Sequence, residues 1–172
     1  MQKQTNMEVW LRGPVPDVIP LLQPVAHALL QAQEEIHVYM EGIDEMLMWQ
    51  RPAGVASIAF HLQHICGFLD RLFTYAEGQQ LSKQQLGYLS KEGVEDGTLT
   101  VRGLCESLDT EMQRCLTRLK NFQAATLEEP RFVGRKMIPS TVIGLLVHAA
   151  EHTQRHTGQL LVTSRILQYT QA

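Results

Sequence analysis

The stretch Val142–Leu160, VIGLLVHAAEHTQRHTGQL, sets His148, His152 and His156 four residues apart. A helix advances about 100° per residue, so each step of four drifts by only about 40° and the three imidazoles share one side. Val142, Leu145, Leu146, Ala149 and Leu160, with Leu167 beyond them, give the same helix an apolar face. With Val142 as zero, His156 falls about 40° to one side, His152 about 80° and His148 about 120°. His156 and His152 therefore lean inward, while His148 drifts to the boundary. Adjacent members of such a ladder can chelate one metal ion if a second element supplies another ligand. If two of the three do so here, they are His152 and His156, with Gln159 near His152 on the wheel as a supporting residue.

Working outward, Ser140 or Thr141 caps this helix, which continues to about Gln168. Three further stretches carry apolar residues at helical spacing. One runs from about Val55 to Ala76, with Ile58, Leu62, Ile65, Leu69 and Leu72 as its seam, Ser57 in its first turn and Gly78 closing it. Another runs from about Thr100 to Phe122, with Val101, Leu104, Leu108, Met112, Cys115, Leu116 and Leu119 inward. The first in the chain is capped by Asp17 and runs to about Glu41, with Gly42 as its stop. Pro20 suits its first turn, and Pro24 either kinks it or delays its start.

Between these helices, residues 42–53 read as a connection. Residues 78–99 are polar and glycine-punctuated, with room for a short helical turn at Lys83–Leu89 and enough length to cross a bundle's height. Residues 1–16 read as an irregular leader containing Pro14 and Pro16, and Gln123–Pro139 as a connection without a strand pattern. Four amphipathic helices and no strand pattern predict an all-α domain over residues 1–172, most economically a four-helix bundle.

The bulk numbers fit this and narrow the function. The chain has 172 residues, 44% hydrophobic and 19% charged, with a net charge of −3. That length buries a core without disulfides, and the balance offers no basic field for nucleic acid or anionic lipid. Cys66, Cys105 and Cys115 form no CxxC pair and sit at or near apolar helix positions, where burial is expected rather than nucleophilic chemistry. No signal peptide and no unbroken apolar run of about 18 residues is read from the sequence, so a cytoplasmic protein without a membrane span is expected.

The third ligand is sought on the second helix, which carries His61 and His64. With Ile58 as zero they lie about 60° and about 120° off the seam, on the same side. The wheel leans toward His61, but rotation of a helix within a bundle leaves both open. His27 and His37 on the first helix are read as peripheral. Packed or surface histidines without any metal are the plain alternative, although several buried imidazoles without partners are costly. The HxxxH spacing lacks the adjacent glutamate of HExxH, which argues against a zincin-type protease.

Two segments carry a family resemblance. Ser57-Ile-Ala-Phe-His-Leu-Gln-His64-Ile65 resembles the helix-two signature of the DinB/YfiT-like superfamily, a Ser or Thr opening the helix and a histidine seven positions later. His152-Thr-Gln-Arg-His156-Thr-Gly-Gln-Leu160 resembles its helix-four signature, HxxxHxGQ followed by an apolar residue. The resemblance covers nearly the whole chain. It implies a four-helix bundle of up-down-down-up topology, with the 78–99 connection as the crossover. It also implies a divalent metal, zinc, nickel or iron, on three histidines that carry over to His64, His152 and His156. His61, His148 and Gln159 then stand as second-shell or alternative ligands.

Homodimers are common in the superfamily, and a homodimer is expected here. The chain departs from many relatives in having Gly67 and Leu69 where they carry acidic residues after the helix-two histidine, and Thr157 where arginine is common.

Three histidines leave a coordination position open, which favours a metal-dependent enzyme. It would be a hydrolase, or a transferase using a low-molecular-weight thiol as in enzymes of the superfamily. The alternative is a non-catalytic module of the stress-response kind that binds a metal or small ligand. Glu151 points about 100° away from His152 and is not expected to serve as a base.

Overall fold

The computed structural model describes residues 7–170. Among these residues are five α-helices: α1 (Gln23–Met40), α2 (Ile58–Ala76), a short α3 (Lys83–Leu89), α4 (Val101–Leu119) and α5 (Val142–Tyr169). A two-stranded hairpin, β1 (Pro130–Val133) and β2 (Ile138–Thr141), precedes α5.

Most helix starts are set by local chemistry. The hydroxyl of Ser57 accepts from the Phe60 amide, that of Thr100 from Gly103, and that of Thr141 from Gly144. Ser82 and Gln85 cap α3 reciprocally through side chain and backbone. Each such cap stabilises its helix by about 1 kcal/mol. Ser57 is thus the cap of α2 rather than a residue of its first turn. The expected cap at Asp17 is not formed. Asp17 has a left-handed backbone, φ 64°, and a 3₁₀ turn at Pro20–Leu22 leads into α1 instead. Pro24 delays the helix rather than kinking it: it takes a first-turn position, where the missing N–H has no partner to lose.

Two other expectations are corrected. The leader contains an ordered 3₁₀ turn at Val9–Arg12, with Val9 buried, its amide donating to Gln31, and Arg12 paired through two contacts with Glu34. Residues 1–6 of the leader lie outside the described residues. The connection before α5 contains the hairpin, pairing Pro130 with Thr141 through to Val133 with Ile138. Its turn places both Gly134 and Met137 at positive φ, and the methionine is not a residue that signals such a turn. The strands hand their backbone bonds on to α5, since Val142 N–H donates to Glu129 O and Ile143 N–H to Leu127 O.

The long helices form a ring in which α5 packs against α1 and α2, α2 against α4, and α4 closes onto α1. Arg114 reaches Asp70 and Arg118 reaches Glu77, so α2 and α4 run the same way. His61 meets His156 and His64 meets His152, so α2 and α5 run oppositely. The amide of Val101, at the start of α4, is held by Glu45 just beyond α1, while Lys120 past the end of α4 lies near Asp17, so these two helices are antiparallel. The topology is up-down-down-up, and the 78–99 connection is the crossover. Phe73, Ile36, Leu62, Leu69, Leu108 and Leu119 are fully buried at the centre. Among the described residues, no helix is long and apolar enough to cross a membrane.

Candidate metal centre

Because α2 and α5 are antiparallel, positions summing to a near-constant number face each other. His61 meets His156 and His64 meets His152 for that reason. Nδ1 of His61 lies 2.9 Å from Nδ1 of His156, and Nε2 of His64 lies 3.0 Å from Nε2 of His152. One ligand atom from each of His64, His152 and His156 falls within 4.8 Å of the other two. The burial order on α5 follows the wheel: His156 is buried, His152 half-buried and His148 exposed. On α2, His61 is buried at 2% exposure, and His64 sits outside it toward solvent. The wheel's lean toward His61 reflected depth; the member of the three-residue cluster on α2 is His64.

The surroundings shape these rings. Phe60 stacks on His64 with planes 10° apart, and the Phe68 ring centroid is 3.9 Å from that of His152. Together with burial, the crowding of imidazoles pushes His61, His152 and His156 down to about 4, burial being the larger cause in each. Near neutrality these three rings are uncharged, with lone pairs available. His64 donates from Nδ1 to Oε2 of Glu92 at 2.7 Å, and Oε1 of the same carboxylate takes Arg71 at 2.6 Å. That assignment of the His64 proton follows from the carboxylate being an acceptor.

The donor set fits a divalent cation. Two nitrogens bound to one zinc at about 2.0–2.1 Å stand roughly 3.3 Å apart, so the His64–His152 pair needs only a few tenths of an ångström of relaxation. Nδ1 of His152 is buried and has no hydrogen-bond partner among the described residues. An imidazole nitrogen buried without a partner is costly, and this one lies on the ring of a candidate ligand. Imidazole nitrogens alone do not choose among zinc, nickel and iron.

The remaining histidines and candidate residues stand elsewhere. His148 lies at the rim, 3.3 Å from Glu151 and edge-on to Phe68. His61 supports His156 from below. Gln159 is exposed and, among the described residues, makes no hydrogen bond to a cluster histidine: it shares the side of the helix that carries His152 but lies seven residues, about 10.5 Å, along the axis from it. His27 bonds the Gly13 carbonyl and His37 pairs with Asp109, both away from the cluster. Glu151 pairs with Arg155 on the outer face. All three cysteines are buried, and burial raises each thiol, Cys105 to about 11 and Cys66 and Cys115 further. Glu92 and Arg71 were not legible as site residues. The one sequence trace of their arrangement is Gly67, a glycine in the middle of α2, where close approach is the usual reason for one.

A helical bundle with an up-down-down-up crossover and a cluster of three histidines between its second and last long helices defines a class. The sequence matches the DinB superfamily over residues 28–160, and the chain belongs to that superfamily. No curated protein sequence matches it. Among solved structures it is similar to a conserved protein from Enterococcus faecalis, at 17% identity and TM-score 0.67, covering 87% of this chain and 98% of that one. It is also similar to a protein from Streptococcus pneumoniae, at 16% identity and TM-score 0.61, covering 84% and 88% respectively. At these identities the likeness is one of fold.

Proposed function

We propose that this protein binds a divalent metal through His64, His152 and His156 and uses it as a metal-dependent enzyme, a hydrolase or a thiol-dependent transferase. The observation that carries the reading is the convergence of three imidazole ligand atoms within 4.8 Å at a half-buried position. A metal held by three protein ligands keeps a position open and supplies Lewis acidity, toward water in hydrolysis or toward a thiol in transfer.

The chain's own residues supply the setting. Phe60 and Phe68 wall the cluster with apolar rings, which limits the water around it. His61 and Glu92 hold the far nitrogens of His156 and His64. No cysteine of the chain is placed to serve as a thiolate at neutral pH, because all three are buried with raised thiols. Thiol chemistry at this site therefore takes its sulfur from a small external thiol. A homodimer is the assembly proposed with this reading.

The test is metal content and turnover measured together. Protein made without a histidine tag under metal-replete growth is expected to carry about one equivalent of divalent metal per chain, and His152→Ala far less. Panels of esters, amides and thiol-plus-electrophile pairs are then assayed, and an activity lost in His64→Ala belongs to the cluster. Equal, near-zero metal in wild type and His152→Ala would overturn the proposal.

A further inference from the structure

The segment after α3 is seated on α2 by contacts of several independent kinds, all converging beside His64. Glu92 enters with its side chain only 4% exposed and divides its carboxylate between His64 Nδ1 and the Arg71 guanidinium. Next to it, the Gly93 amide donates to Oε1 of Gln63 at 2.8 Å. Gly93 has φ 77°, and a Cβ there would stand 2.8 Å from the Phe60 ring, the ring stacked on His64. From the helix side, a Cβ on Gly67 would stand 2.3 Å from Oε1 of Glu92 and 2.6 Å from Nη1 of Arg71. Two glycines, a buried glutamine and a buried arginine thus shape one seat, and its occupant is a single carboxylate.

We infer that Glu92 is a positioning residue for the cluster: its carboxylate fixes the Nδ1–H tautomer of His64 and thereby commits Nε2, with its lone pair, to the metal. Arg71 holds the carboxylate in place, and Gly67 and Gly93 make the space. An imidazole whose outer nitrogen donates to a carboxylate is a better ligand, because its orientation and proton are settled beforehand and its basicity rises. Removing such a partner characteristically weakens metal binding by about 10- to 100-fold. With Nε2 of His64 an acceptor, the proton in its 3.0 Å contact with His152 sits on Nε2 of His152 in the metal-free protein. The inference rests on the metal reading of the cluster for the affinity effect; the tautomer effect stands without it.

The experiment uses the full chain with nitrogen-15-labelled histidine, as wild type and Glu92→Gln. In metal-free protein, long-range proton–nitrogen spectra are expected to show His64 as the Nδ1–H tautomer in wild type and a tautomer mixture in Glu92→Gln. Zinc competition against a chelating indicator is expected to show about 10- to 100-fold weaker binding in the variant. Where Glu92→Gln does not fold, Glu92→Asp replaces it, keeping the charge near Arg71 while withdrawing the oxygen from His64, with the same direction expected. An unchanged His64 tautomer together with zinc affinity within about twofold of wild type overturns the inference. Wild-type protein that takes up no zinc overturns the metal reading instead, and the tautomer spectra then decide the role of Glu92 by themselves.

Discussion

Gly67 of α2 and Glu92 of the α3–α4 connection share one small volume: a Cβ on the glycine would lie 2.3 Å from the carboxylate oxygen Oε1. The carboxylate keeps its present place only while position 67 carries no side chain. Gly67→Ala is expected to push Glu92 off His64 and Arg71, leaving a buried guanidinium without its partner. Stability should fall by about 1–3 kcal/mol despite the better helix propensity of alanine. Thermal unfolding of Gly67→Ala beside Gly87→Ala, where nothing lies within 4 Å of the added Cβ, checks this.

Metal should stabilise the folded chain by linkage. At a free concentration of 100 times its dissociation constant, a ligand that binds only the folded state adds about 2.7 kcal/mol. Zinc added to metal-free protein is expected to raise Tm, and a chelator to reverse it. His152→Ala should be insensitive to both. Differential scanning calorimetry with and without metal reads the difference.

The buried contact between His61 and His156 gives a separate expectation. His61→Ala removes the group that, among the described residues, holds Nδ1 of His156, and opens space in the core beneath the cluster. A loss of about 1–3 kcal/mol is expected from the unsatisfied nitrogen, along with about tenfold weaker metal binding. Urea unfolding of metal-free protein and chelator competition measure the two effects separately.

Glu111 supplies a pH dependence away from the cluster. Burial raises its carboxyl from 4.5 to about 7, against the lowering effect of Arg114. The folded state therefore holds its proton more tightly than the unfolded one. Stability from this group is fully present below about pH 4.5 and is lost as pH rises through about 7, by up to roughly 3 kcal/mol at 1.36 kcal/mol per pH unit. Glu111→Gln should flatten that part of the profile. Tm recorded from pH 5 to 8 in both proteins checks the sign.

The imidazoles act with the opposite sign. His61, His152 and His156 have folded values of about 4 against 6.5 unfolded, so the unfolded chain binds more protons between those values. Their effect is a loss of stability as pH falls from about 6.5 toward 4. Acid unfolding is expected to begin in that window, and to shift to lower pH when zinc is bound. Circular dichroism against pH with and without zinc tests it.

Much of this protein was legible in its periodicity. The seam from Ile58 to Leu72 and the face from Val142 to Leu167 repeat at helical spacing, and Ser57, Thr100 and Thr141 mark the starts. The α5 wheel also ordered His156, His152 and His148 by burial, because one helix carries all three and rotation shifts them together. Choosing between His61 and His64 needed more. Both face α5, and which joins the cluster depends on the height at which antiparallel helices meet, a quantity set by packing. The hairpin was missed because Pro130–Val133 and Ile138–Thr141 are short, contain prolines, and turn through Met137. Glu92 was invisible because the folding-back of a polar connection is a tertiary event that leaves no local pattern.

The crossover has a consequence for the order in which the protein can be assembled. His64 belongs to the second long helix and His152 and His156 to the last, 88 positions later for the closest pair. A chain emerging from the ribosome passes through α3, α4 and the hairpin before the site has more than one of its three histidines. Premature capture of metal by the nascent α2 is thus limited to what His64 and His61, three residues before it, can hold. Loading becomes a signal that synthesis has passed α5 and that this helix has docked.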